Sequence, residues 1–225
     1  MPPSLTPADR FRNAYAARSQ TDYYFDGLGM VIFLTIITCG IYGYYVFYQL
    51  MRRMRDHNRR RLDLLESANE IAWQRASEQG MAEELRSNFE RIATNLAMMR
   101  QMTMDFRDPA IWLVIAIFAR GIAEIIGFIF LDQDLIKHDQ AEGAVEAELS
   151  AVFARLGQNV PAPEPGRLKG PQNYAGRVVA TVLSCSIYFF WWIYNQMDDV
   201  NRHFLWNWPW EDSLAAAVNT LAPAA

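Results

Sequence analysis

Residues 38–57 and 184–203 can be laid over one another without a gap. Cys39/Cys185, Ile41/Ile187, Tyr42/Tyr188, Tyr48/Tyr194, Met51/Met197 and His57/His203 are then identical pairs, and Thr35/Thr181 extends the match upstream. A third, weaker copy lies between them, with Ile36/Ile117, Gly40/Gly121, Ile41/Ile122, Phe47/Phe128 and His57/His138 in register. The chain has three histidines, and each falls sixteen residues after the matched isoleucine. Self-similarity of this kind points to one structural unit used three times. Each copy also has a small residue or break at its centre: Cys39-Gly40, Arg120-Gly121 and Cys185-Ser186.

The repeats coincide with the apolar parts of the chain. Residues 27–48 and 178–194 carry no charge, and 109–131 carries only Arg120 and Glu124. Runs of about 18–22 apolar residues match a hydrocarbon core of roughly 30 Å. The expected fold is therefore an all-α membrane protein with three apolar helical segments, 27–50, 109–131 and 177–196. In the simplest arrangement each segment spans the bilayer. A competing arrangement follows from the central breaks. Legs of about ten residues, roughly 15 Å as helix, reach only halfway and return, which is tolerated where other protein covers the backbone. The three histidines would then lie on one side. Arg155, Arg167, Lys169 and Arg177 would stay on that side too.

The other segments are read from composition. Residues 1–26 are polar, contain proline and lack an apolar core, so no signal peptide is expected. Residues 51–108 are rich in good helix formers, and Gly80 divides them into a helical hairpin of about 49–79 and 81–106. Leu85, Phe89, Ile92, Leu96 and Met99 follow a 4-3-4-3 spacing, one apolar stripe on a helix and a candidate interaction surface for the hairpin partner, another copy of the chain or a cytoplasmic protein. Asp108-Pro109 suits a helix start. Residues 132–176 read as a helix of about 140–156 followed by a linker, Pro161-Ala162-Pro163-Glu164-Pro165-Gly166, that breaks regular structure. The tail, 197–225, with Trp206, Trp208 and Trp210 around Pro209, reads as an interfacial anchor, and Tyr42–Tyr48 and Tyr188–Tyr194 as aromatic belts.

Charge sharpens the picture locally. The formal net charge of −4 decides little. Arg52, Arg53, Arg55, Arg59, Arg60 and Arg61 follow the first apolar run, where the positive-inside rule places that end in the cytoplasm. They are candidate contacts to anionic lipid headgroups, and their position beside an apolar segment argues against a nucleic-acid partner. Arg120 and Glu124, at i,i+4 spacing, are a candidate intramembrane charge pair. Cys39 and Cys185 read as small apolar residues at helix contacts. Three converging imidazoles would suit zinc, with Asp56 and Asp139 beside them. The plainer reading is a polar residue at the wet end of each segment, and on it no metal and no cofactor is expected. No Gly-rich phosphate loop, G-x-S-x-G elbow or H-E-x-x-H pair is present, so no enzyme is expected.

The strings Thr38-Cys39-Gly40-Ile41-Tyr42-Gly43-Tyr44-Tyr45 and Ser184-Cys185-Ser186-Ile187-Tyr188-Phe189-Phe190-Trp191 resemble the signature of an uncharacterised bacterial membrane family, domain of unknown function 4234. The last copy departs from it at Ser186, where the family has Gly, and the hairpin looks like an insertion beyond the basic unit. The resemblance implies a multi-pass protein of the cell membrane with no established activity, and no functional residue carries over. The expected role is a non-enzymatic scaffold or accessory subunit with a protein partner or a second copy of itself. The alternative is an oligomeric transporter or channel that uses Arg120 and Glu124.

Overall fold

The computed structural model describes residues 5–24, 27–164 and 170–223. Among these residues every regular element is a helix. They are α1 (Pro7–Ala16), α2 (Arg18–Thr21), α3 (Leu28–Ile37), α4 (Ile41–Glu78), α5 (Arg86–Met104), α6 (Pro109–Phe118), α7 (Ile122–Arg155), α8 (Tyr174–Leu183) and α9 (Ile187–Leu221). The all-α class is as expected. No helix among the described residues is long and apolar enough to cross a membrane. The three continuous spans anticipated at 27–50, 109–131 and 177–196 are each two helices, a short one and the start of a long one.

The break in each unit has a local cause. Backbone φ is positive at Cys39 (52°) and Gly40 (95°), at Gly121 (76°), and at Cys185 (50°) and Ser186 (71°). In the first unit Gly40 N–H donates to Thr35 O at 2.7 Å, and in the third Ser186 N–H donates to Thr181 O at 2.8 Å. This six-residue closure is how a helix ends on a left-handed residue. The next helix is then capped by the side chain just before the break. Thr38 Oγ1 accepts from Tyr42 N–H and Ser184 Oγ from Tyr188 N–H, both at 2.9 Å. So the Thr/Ser–Cys–Gly/Ser string stops one helix and starts another. Cys39 and Cys185 are exposed in these turns and are not the helix contacts the sequence suggested. The middle unit lacks the hydroxyl cap, and Ala119 O receives Ala123 N–H instead.

The three long helices begin at the three aligned isoleucines, Ile41, Ile122 and Ile187. The first apolar segment and the first arm of the expected hairpin are therefore one helix, α4, of 38 residues. Likewise α7 runs unbroken from the second apolar segment to Arg155. The tail is not a separate anchor, because α9 continues through Pro209 to Leu221. An internal proline costs about 3 kcal/mol. Burial of Trp210, Leu214, Ala217, Val218 and Leu221 on the far side outweighs it. Gly80, at φ 71°, makes the hairpin turn, and Met81 N–H closes it on Ala76 O.

Apolar residues of the long helices pack into two layers. One holds Phe47, Met51, Met54, Phe128, Leu131, Trp192 and Phe204, next to the broken units. The other, further along, holds Leu64, Leu65, Ala68, Ile92, Val145, Leu149, Phe153, Leu214 and Val218. The stripe Leu85, Phe89, Ile92, Leu96 and Met99 belongs to this second layer and is buried within the chain. It docks within the chain, against its hairpin partner α4 and against α7, and so is not open to another protein. The N-terminal segment is also structured. Thr6 caps α1, and Phe11 and Ala14 pack into the same layer. Pro165, Gly166, Arg167 and Lys169 of the expected linker and basic set lie outside the described residues.

Candidate functional site

Between the two apolar layers lies a polar one. From each isoleucine that starts a long helix, sixteen residues at about 1.5 Å each give about 24 Å to the histidine. All three arms therefore deliver a histidine to the same height. His57, His138 and His203 are buried, and ring centroids are 5.1–5.7 Å apart. Glu142 stands one turn beyond His138 on α7 and is equally buried. One ligand atom from each of these four residues lies within 4.8 Å of the others.

The rings are oriented from behind. His57 Nδ1 lies 2.9 Å from Asp22 Oδ1, and His203 Nδ1 lies 3.1 Å from Asp139 Oδ1. A carboxylate only accepts, so both Nδ1 atoms donate and both Nε2 atoms turn inward. There His57 Nε2 and His203 Nε2 are 3.2 Å apart, and His203 Nε2 is 3.2 Å from Glu142 Oε2. Neither ring nitrogen of His138 has a hydrogen-bond partner, and its Nε2 is 3.6 Å from Glu142 Oε1. Burial pushes His57 down to about 3, against the pull of Asp22, so that ring is neutral at pH 7. Glu142 goes the other way. Burial opposes its charge, but Arg61 beside it holds the carboxyl well below the usual range.

Arginines complete the layer. Arg61 bridges Glu142, Glu146 and Glu211, and Arg60 bridges Asp22 and Glu211. Arg53 donates to Asn201 Oδ1 at 2.7 Å. Asn207 donates to Glu142 Oε2 at 3.0 Å and lies 3.1 Å from His203 Nε2. Three imidazoles and a carboxylate are donors that suit a divalent transition metal, with Asp22 and Asp139 as outer partners.

The residues singled out from the sequence fall in several places. Of the six arginines proposed for headgroups, Arg53, Arg60 and Arg61 are buried in this layer and touch no exterior. Helical phase explains it, since positions 53, 57, 60, 61 and 64 share the inward face of α4. Arg52 and Arg59 are exposed, and Arg55 is half-buried beside Asp56. Arg120 and Glu124 do not form the expected helical pair. Arg120 sits in the break, before α7 begins, and donates from Nε to Tyr44 Oη at 2.9 Å. Both line a cavity of about 230 Å³ with Thr35, Tyr44, Phe47 and Phe189. The histidines were visible as an equal interval and Asp139 as a carboxylate beside them, but the other outer partner, Asp22, was not. Asp22 precedes the first repeat and has no counterpart in the others.

No curated protein and no solved structure matches the chain. Over residues 26–130 it matches the family model of the Domain of unknown function (DUF4234), an uncharacterised family.

Proposed function

We propose that the chain is a non-enzymatic scaffold or accessory protein of the cell membrane, seated in one leaflet by its three broken units. One observation carries the reading. Most of the exposed large apolar side chains lie on those units, and several of the most exposed flank the breaks: Phe118 at 86 %, Leu183 at 79 %, Ile187 at 74 % and Ile41 at 71 %. Soluble proteins rarely expose so much apolar surface in one region. The short helices α3, α6 and α8 have ten residues each. At about 1.5 Å per residue that is about 15 Å, half of a bilayer core. Exposed Arg52 stands eleven residues beyond Ile41, about 17 Å from the tip, at headgroup height. The histidine cluster is sealed from solvent, which suits a structural rather than a catalytic role.

The test is sidedness. With Cys39→Gly and Cys185→Gly as background, Gln79→Cys and Gln158→Cys are each treated with an impermeant maleimide. Both stay unlabelled in intact cells and react once the cells are opened. Labelling of Gln158→Cys from outside overturns the one-leaflet seat. Purified protein floats with anionic vesicles, and Phe118→Asp with Leu183→Asp releases it.

A second reading, solute or ion passage, is favoured by the cavity at Arg120. Glu124 Oε2 is buried there without a hydrogen-bond partner. Flux into proteoliposomes that Glu124→Gln abolishes would support it. Equal flux in both proteins would dismiss it.

A further inference from the structure

We propose that His57, His138, His203 and Glu142 form a structural binding site for one divalent transition-metal ion, zinc by its ligand set, which ties the three repeat units together. The inference does not depend on the membrane seat. It rests on four independent features of the cluster.

The first is separation. Two nitrogens held tetrahedrally at the roughly 2.0–2.1 Å of a Zn–N bond are about 3.3 Å apart. The Nε2 atoms of His57 and His203 are 3.2 Å apart, and Glu142 Oε2 is 3.2 Å from the latter. No remaining gap among the four donors exceeds 4.8 Å, an opening that contracts on binding.

The second is proton placement. Asp22 and Asp139 take the Nδ1 protons, so two Nε2 lone pairs face each other in a buried space. With those protons behind the rings, neither imidazole has one to place between the facing Nε2 atoms. A cation between them accepts both lone pairs and resolves the conflict. A carboxylate behind the ligating imidazole is also the usual outer shell of a metal histidine.

The third is His138. It is 1 % exposed, and neither nitrogen has a hydrogen-bond partner in the protein. A buried imidazole without a partner is destabilising unless something else binds it. The fourth is the repeat, which brings one histidine from each unit to one point. Three imidazoles and one carboxylate fill a tetrahedral shell, and closed four-coordinate sites are structural.

The test uses the full chain in detergent, carrying no histidine tag. After chelation and dialysis, zinc and cobalt(II) are titrated back. The expected result is one ion per chain, a tetrahedral cobalt spectrum, and a rise in Tm of about 5–10 °C at zinc a hundredfold above Kd. His138→Ala removes no protein hydrogen bond, so it should keep its helical circular dichroism. It should weaken zinc by more than the roughly 100-fold that loss of an outer partner costs. Asp22→Asn should weaken it by about 10–100-fold. Wild-type protein that takes up no stoichiometric metal and gains no Tm overturns the proposal. So does His138→Ala that binds zinc as tightly as wild type.

Discussion

The tips of the three units and the polar layer along the long helices invert the usual distribution in opposite ways. At the tips, Ile41, Phe118, Leu183 and Ile187 are outside. In the polar layer, Arg53, Arg61, Glu142, Glu146 and Glu211 are wholly inside. Ile41 and Ile187 share α4 and α9 with Arg53, Arg61 and Glu211, so membership of a helix does not set burial. What sets it is helical phase together with what each height has for company. Around Arg61 three carboxylates converge from α7 and α9. At the breaks the chain provides little to cover an apolar side chain, and in the proposed seat the bilayer does so.

The sharpest way to break that contrast is Arg61→Ala. It leaves Glu142, Glu146 and Glu211 buried without their shared cation, and removing one partner of a buried pair costs about 3–5 kcal/mol. Denaturant unfolding should show it, and a loss under about 1 kcal/mol would mean the layer is wetter than its packing implies. Ile92→Ala, in the covered stripe on α5, should cost about 2–5 kcal/mol. Its exposed counterpart Ile122→Ala should change unfolding by less than about 0.5 kcal/mol. Equal effects from the two would erase the distinction between core and tip.

Gly127→Ala probes the join between the two regions. A Cβ there would lie 2.6 Å from Phe47 Cε2 and Cζ. Over-packing of this kind costs about 1–3 kcal/mol, more than the roughly 1 kcal/mol of helix propensity gained. A more stable variant would show that Phe47 has room to move.

Asp132 gives the smallest and most specific test. Burial pushes its carboxyl up to about 6, against the pull of Arg177. The folded state then holds its proton more firmly than the unfolded one. Stability from this group is complete below about pH 4 and falls as pH rises through 6. The slope is at most about 1.4 kcal/mol per pH unit. Asp132→Asn should flatten that stretch of the profile. An unchanged slope between pH 4 and 6 would assign it to other groups.

Much of this was legible in the sequence. The positions of the breaks, the histidine interval, the Gly80 turn and the α5 stripe are all patterns of spacing, and spacing is what one helix imposes on its own residues. Whether an apolar run was one helix or two was not legible. Cys39, Cys185 and Ser186 adopt positive φ although none is glycine, and composition gives no sign of that. The arginine cluster misled because its counter-charges come from elsewhere. Asp22 and Glu211 lie 38 and 151 residues from Arg60. The pair at Arg120 and Glu124 misled because i,i+4 geometry needs both residues inside one helix, and Arg120 lies outside it. The tail around Pro209 looked like a separate anchor and is not one, since the apolar residues beyond the proline outweigh the missing N–H.

The equal length of the three arms limits where the chain can tolerate a change in length. One residue added between Ile122 and His138 would swing that imidazole by about 100° and raise it by about 1.5 Å, away from its two counterparts. Insertions within any single arm are thus ruled out unless all three lengthen by a common step. Beyond the meeting point no such rule applies. The whole of α5 and its turns lies between His57 and Pro109, where extra sequence can be accepted without disturbing the register of the arms. A descendant of this chain should therefore vary in the distal loops and hold its arms to a fixed count, whatever happens to the identity of the residues along them.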